Sequence, residues 1–106
     1  MQGQVIIMPE AVRDIEEHVV YIGERNFDAA VRFELALRED FEKLIQWPGF
    51  GALCNYPNPR LKGMRSWPIT RFRRRLIFYR PILGGIEIIR VLHGPVTAME
   101  SSGDTK

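Results

Sequence analysis

The stretch RFRRRLIFYRPILGGIEIIRVLHG, residues 71–94, decides the fold of this chain of 106 residues. It contains two runs rich in β-branched and aromatic residues, 71–80 and 86–93, which are typical of strands. A Gly-Gly pair at 84–85 separates them, where a tight hairpin needs backbone with positive φ. Because a third such run, 61–67, comes just before them, the sequence predicts an antiparallel meander of three strands.

Alternation along the middle run predicts which side chains share a face of the sheet. Phe72, Leu76 and Phe78 would lie on one face, and we expect Phe78 in the core. The opposite face would carry Arg71, Arg73, Arg75, Ile77 and Tyr79. Neither face is purely polar, so the sheet is either covered twice within the fold or covered on its second face by a partner.

Two amphipathic helices are predicted before the meander. A short strand at residues 4–8 stops at Pro9, whose fixed φ suits the first turn of a helix. The second helix can be capped by Asn26 or Asp28 and should end near Trp47, because a proline follows. Apolar residues recur at three- and four-residue steps in both segments. They are Val12, Ile15, Val19 and Ile22 in the first helix, and Ala30, Phe33, Leu37, Phe41 and Leu44 in the second.

The predicted fold class is α+β, with the order β-α-α-β-β-β in a single domain over residues 1–106. A short connection favours an antiparallel helix hairpin, packed on one face of a small, mostly antiparallel sheet. The second face would be open and rich in arginine. The proline- and glycine-rich stretch 48–60 is expected to be an irregular loop, and the end of the chain, from about residue 97, a frayed tail.

Charge is divided unevenly along the chain, although the net charge is only +2. Residues 9–46 contain ten acids and five bases, whereas residues 60–90 contain nine bases and the single acid Glu87. This asymmetry predicts an anionic partner, either nucleic acid or an acidic protein segment, with solvated strand faces as the alternative. The candidate residues for binding such a partner are Lys62, Arg65, Arg71, Arg73, Arg75 and Arg90.

Several functional classes are made improbable by what the sequence lacks. Cys54 is the single cysteine, so neither an internal disulfide nor a thiolate zinc cluster can form, and a cytoplasmic location fits. A glycine-rich phosphate loop, an H-E-x-x-H pair and a G-x-S-x-G elbow are all missing. No apolar run approaches the roughly 20 residues that cross a bilayer. We therefore expect no cofactor, no metal site and no membrane partner.

RNA cleavage stays open, because positioned bases and arginines can perform it without a cofactor. The phosphorane charge could be stabilised by Lys62, Arg65, Arg73, Arg90 and His93, and Tyr79 or His93 could transfer the proton. The structural alternatives are a strand-end His93 that bonds a backbone carbonyl and a half-buried Tyr79.

An ordered set of short motifs covers about residues 4–95, nearly the whole chain. Its members in chain order are Ala11, Asp14-Ile15, Tyr21-Ile22, Ala29-Ala30, Phe33, Leu44, Pro48, Gly51, Leu61-Lys62-Gly63-Met64-Arg65, Ile77-Phe78-Tyr79-Arg80 and Arg90-Val91-Leu92-His93-Gly94. This set resembles the RelE/ParE toxin superfamily, and its ParE branch most closely.

The resemblance implies a bacterial type II toxin held inactive by a cognate antitoxin, ParD-like or similar. The ParE branch implies capture of DNA gyrase without catalysis and without specific DNA binding by the toxin alone. The superfamily also contains ribosome-dependent messenger-RNA nucleases, so an endoribonuclease using Arg65, Arg90 and His93 remains an alternative, as does an inactive partner-binding member. Residues 95–97, Pro-Val-Thr, depart from the small residue, Arg and Asp that often follow the His-Gly pair in ParE-like chains.

Overall fold

The computed structural model describes residues 3–103 and shows a helix hairpin packed on a five-stranded sheet. The strands are β1 (Gln4–Ile7), β2 (Ala52–Leu53), β3 (Arg65–Ile69), β4 (Phe72–Ile82) and β5 (Gly85–His93), and the helices are α1 (Pro9–Arg25), α2 (Phe27–Gln46) and α3 (Ala98–Gly103). The sheet order is β1-β5-β4-β3-β2, and only the β1–β5 pair is parallel. The predicted α+β class and element order are confirmed. The stretch predicted as a loop contains β2 and two 3-10 turns, Pro48–Phe50 and Pro59–Leu61.

A single residue, Asn26, joins α1 to α2. Its backbone N–H donates to the carbonyl of Ile22 at the end of α1, and its Oδ1 accepts the N–H of Ala29 at the start of α2. The side chain therefore satisfies one of the free amides in the first turn of α2, as an N-cap does. So short a connection leaves the helices antiparallel and in contact.

The main core lies between the helix hairpin and one face of the sheet. Ala30, Phe33, Leu37 and Leu44 of the predicted α2 stripe are buried, and Phe41 packs against them. The predicted α1 stripe is only partly correct, because Val12 is exposed. The buried residues of α1 are Ala11, Asp14 and Ile22.

The face of β4 that meets the helices was predicted wrongly. Ile77 and Tyr79 are fully buried in the main core, whereas Leu76 and Phe78 lie in a separate cluster. Phe72 nevertheless packs in the main core beside Ile77, so the alternation breaks between them. The cause is a register shift between Pro68 and Ile69 of β3, where β4 pairs with it.

The second face of the sheet is covered within the chain, which contradicts the predicted open, arginine-rich face. Its cluster consists of Leu61, Met64, Leu76, Phe78 and Met99. Met99 belongs to α3 and is only 4% exposed, so the expected frayed tail does not hold for Ala98–Gly103. Residues 104–106 lie outside the described part of the chain.

Candidate functional site

The predicted binding residues divide into two groups by exposure. One group is exposed to solvent, and the other is half-buried and hydrogen-bonded within the fold. The exposed group is Lys62, Arg71 and Arg73, and the half-buried group is Arg65, Arg75 and Arg90.

Arg65 fixes the 3-10 turn that follows α2. Its Nη1 donates to the carbonyl oxygens of Gly51 at 2.7 Å and Gly49 at 3.3 Å. The hydroxyl of Tyr79 donates to the Pro48 carbonyl at 2.6 Å and accepts the N–H of Gly51 at 2.8 Å. Burial raises the pKa of Tyr79. Both side chains therefore hold the turn in place, and Tyr79 is fully buried where half-burial was expected.

The turn displays an aromatic stack that sequence reasoning missed. The ring of Phe50 lies 5.8 Å from that of Trp47 and 6.0 Å from that of Trp67, and the planes are inclined by only 20° and 13°. Trp47 and Phe50 are exposed. The W-P-G-F sequence was the available signal, since it places large aromatic residues around a turn.

Arg90 is paired with a buried carboxylate of α1. Its Nε and Nη2 donate to Oδ2 and Oδ1 of Asp14 at 2.7 and 2.9 Å, a bidentate arrangement. These hydrogen bonds raise the pKa of Arg90. Asp14 Oδ2 also accepts the backbone N–H of Val91 at 3.0 Å. The pair links α1 to β5 across most of the sequence.

His18 of α1 contacts the sheet through Val91 of β5 and Arg75 of β4. Its Nε2 is 2.9 Å from the carbonyl oxygen of Val91, and its Nδ1 accepts the Arg75 Nε–H at 3.1 Å. These two partners require a neutral ring with its proton on Nε2. Burial lowers the pKa of His18, and the charge of Arg75 acts in the same direction.

Together Asp14 and His18 complete an edge of the sheet. The last backbone bond between the β1 segment and β5 runs from the N–H of Met8 to the carbonyl of Ile88. Beyond it, Asp14 accepts the N–H of Val91 and His18 bonds its carbonyl. Two side chains one helical turn apart thus take the place of a neighbouring strand and satisfy both polar groups.

The residues of the nuclease alternative do not converge. Arg65 bonds the turn beside β2, at one edge of the sheet, and Arg90 bonds α1 at the other. His93 is exposed at the end of β5, opposite Arg75 in the register. Among the described residues, His93 forms no hydrogen bond to a backbone carbonyl, which was the structural alternative expected for it. The histidine that bonds a backbone carbonyl is His18.

The turn between β3 and β4, together with the first residues of β4, carries the densest exposed positive charge. Arg71, Arg73 and Arg74 are all exposed, and Arg74 was missing from the predicted set. The buried carboxylate of Asp40 anchors the turn, because it accepts the N–H of Thr70 at 2.9 Å and its hydroxyl at 2.8 Å.

An apolar stripe runs along the outer side of α2. Phe27, Val31 and Leu35 follow one another at four-residue steps and are 76%, 42% and 50% exposed. Side chains at this spacing lie on one side of a helix. Exposed apolar stripes of this kind are typical of surfaces that bind other proteins.

Neither a membrane-spanning helix nor a metal-binding cluster occurs within residues 3–103. In that range, no helix combines the length and apolar character needed to span a bilayer. His, Cys, Asp and Glu side chains within the same described part form no group of three or more that could hold a metal ion.

Comparison with known proteins identifies the family. The sequence model of the family described as "ParE toxin of type II toxin-antitoxin system, parDE" matches residues 5–95. A solved structure titled "Chromosomal ParDE TA system from P. aeruginosa" has a similar fold, with a TM-score of 0.70 at 17% identity over 89% of this chain and 98% of that chain. No curated protein matches the chain significantly. Since the family match spans most of its length, this chain belongs to the ParE toxins of type II toxin–antitoxin systems.

Proposed function

We propose that this ParE-type toxin acts by binding DNA gyrase, without cleaving RNA, and that a ParD-like antitoxin neutralises it. One observation carries the choice of binding over cleavage. Arg65 and Arg90, which a nuclease would aim at a phosphate, are held by main-chain carbonyls and by Asp14. The similar solved chain comes from a ParDE system, which supports an antitoxin of the ParD type.

The antitoxin segment would cover the stripe of Phe27, Val31 and Leu35. Apolar side chains four residues apart suit an amphipathic helix or an extended segment that orders on binding. Covering them removes apolar surface from water, which supplies the free energy for that ordering. The exposed cations Lys62, Arg71 and Arg73 lie outside this stripe and would stay accessible to other anionic groups.

Purified gyrase provides the direct test. Supercoiling should be lost when the toxin is added and restored when the antitoxin is added first. Intact supercoiling together with cleavage of ribosome-bound messenger RNA would support the nuclease alternative instead. If both activities are absent and overexpression is harmless, the chain is an inactive partner-binding member.

The antitoxin surface can be tested separately. Leu35→Ser should weaken antitoxin binding at least tenfold, since interface anchors commonly contribute more than about 1.4 kcal/mol. Val20→Ser on α1 is the matched control, because Val20 is a similarly exposed apolar residue outside the stripe. Equal weakening by both variants would contradict the assignment.

A further inference from the structure

The β3–β4 turn and the first residues of β4, together residues 70–74, carry three guanidinium groups that form no ion pair with the described residues. Arg71, Arg73 and Arg74 are exposed, and within the described residues none of them forms an ion pair. The one carboxylate anchored at the turn, Asp40, is buried and occupied by Thr70. We call residues 70–74 the arginine turn.

The backbone of the arginine turn is strained at Arg71. Its φ is 70°, the only positive φ of a non-glycine residue in the described chain. Glycine occupies this conformation without steric cost, and a β-carbon does not. A long cationic side chain at such a position points to a role for its guanidinium group.

The arginine turn is also held rigidly. Asp40 of α2 binds both the N–H and the hydroxyl of Thr70. Within the arginine turn, Phe72 at the start of β4 packs edge-on against Phe33 of α2, with ring centroids 5.2 Å apart. The backbone that carries the three cations is therefore already ordered, so less conformational entropy is lost when they bind a ligand.

The surroundings of the arginine turn indicate which anion it fits. No large apolar side chain between Leu53 and Leu83 is exposed, so β3 and β4 offer no apolar anchor. A disordered acidic peptide needs such anchors to offset its loss of chain entropy on binding. A nucleic-acid duplex is already ordered before it binds. Counterions released from its phosphates supply favourable binding free energy without any apolar contact.

We propose that the arginine turn binds the phosphate backbone of a nucleic-acid duplex, without regard to base sequence. This contact goes beyond the proposed function and does not depend on it. If the toxin does capture gyrase, the duplex that the topoisomerase holds is the available ligand. The contact would then add electrostatic attraction to the protein–protein interface.

The test is anisotropy of a short fluorescent DNA duplex titrated with the full chain. With three phosphates neutralised, the slope of log K against log[salt] should be about −2.7, an affinity loss of about fortyfold between about 50 and 200 mM salt. Two duplexes of unrelated sequence should give the same slope. Affinity that follows base sequence, or no salt dependence, would overturn the proposal.

Matched variants locate the contact. Arg73→Gln with Arg74→Gln should make the slope shallower by about 1.8, because two phosphate contacts are lost. Arg13→Gln with Arg60→Gln removes the same charge from two exposed residues outside the candidate binding set, and Arg60 lies beside Arg80, roughly 25 Å along β4 from the arginine turn. The control pair should leave the slope unchanged. Equal effects of both pairs would mean that net charge alone drives binding, and the proposal would fall.

Arg71→Gly separates binding from folding. The variant should melt no lower than the parent, because glycine fits the positive φ, yet its slope should be shallower by about 0.9. An unchanged slope would remove Arg71 from the contact. Stronger binding of a glutamate-rich peptide than of the duplex, lost in the same variants, would assign the arginine turn to a protein partner instead.

Discussion

Arg90 of β5 and Asp14 of α1 form a bidentate ion pair, with N–O distances of 2.7 and 2.9 Å. The same carboxylate receives the N–H of Val91, so one α1 side chain neutralises an arginine and completes a strand edge. The ion pair holds the Arg90 guanidinium at the contact between α1 and β5. In a nuclease of this superfamily, that guanidinium could instead bind RNA.

Breaking this pair should cost stability. Asp14→Asn keeps the shape of the side chain but removes the negative charge that is hydrogen-bonded to the half-buried Arg90. We expect a loss of about 2 kcal/mol in the free energy of unfolding, measured by urea denaturation. Glu24→Gln, at an exposed acid of the same helix, should change it by less than about 0.5 kcal/mol. Similar values for both variants would show that the pair contributes nothing specific.

Stability should decrease on mild acidification because of His18. Its pKa is lowered in the fold, so the unfolded chain binds the proton more tightly, and stability falls as pH drops below the unfolded value of about 6.5. The groups around the ring are the Val91 carbonyl, Arg75, Asp14 and His93.

Urea midpoints between about pH 7.5 and 5 measure this effect. His18→Gln should flatten the dependence, and His93→Gln, at an exposed residue, should preserve it. A parent protein equally stable throughout the range would disprove the assigned role of His18.

Tyr79 should matter for the turn it holds. Tyr79→Phe leaves the Pro48 carbonyl and the Gly51 N–H without their bonds to the hydroxyl. We expect a loss of roughly 1–3 kcal/mol in the free energy of unfolding and greater exposure of the Trp47 indole, seen as red-shifted fluorescence. Tyr21→Phe at an exposed tyrosine is the control. An unshifted spectrum with unchanged stability would contradict the account.

Phe78 should be a core residue even though it faces away from the helices. It is fully buried in the second cluster, so Phe78→Ala is expected to cost about 3–5 kcal/mol. Leu83→Ala, at a fully exposed hairpin position, should have almost no effect on the urea midpoint. A cost under about 1 kcal/mol would mean that α3 and the Pro59–Leu61 turn do not cover this face in solution.

The elements themselves could be predicted from local sequence. The four- and three-residue spacing of Ala30, Phe33 and Leu37 is enough to define the buried side of α2, because helix geometry repeats every 3.6 residues. Asn26 caps α2 through a side chain only three residues from its partner. The Gly-Gly pair marks the β4–β5 hairpin, and this signal is also local, since the tight turn needs a residue with positive φ and Gly84 adopts a φ of 82°. Family resemblance likewise rests on short motifs in order.

Only the tertiary structure decided which way the sheet faces and which arginines remain available. The register shift at Pro68 and Ile69 reverses the alternation, and it arises from pairing between strands, not from either strand alone. Asp14 meets Arg90 across 76 positions of the chain, a contact that no local pattern encodes. A count of charges along the sequence does not distinguish exposed arginines from buried or paired ones. Burial and pairing in three dimensions leave Arg71, Arg73 and Arg74 exposed and hold Arg65 and Arg90 within the fold.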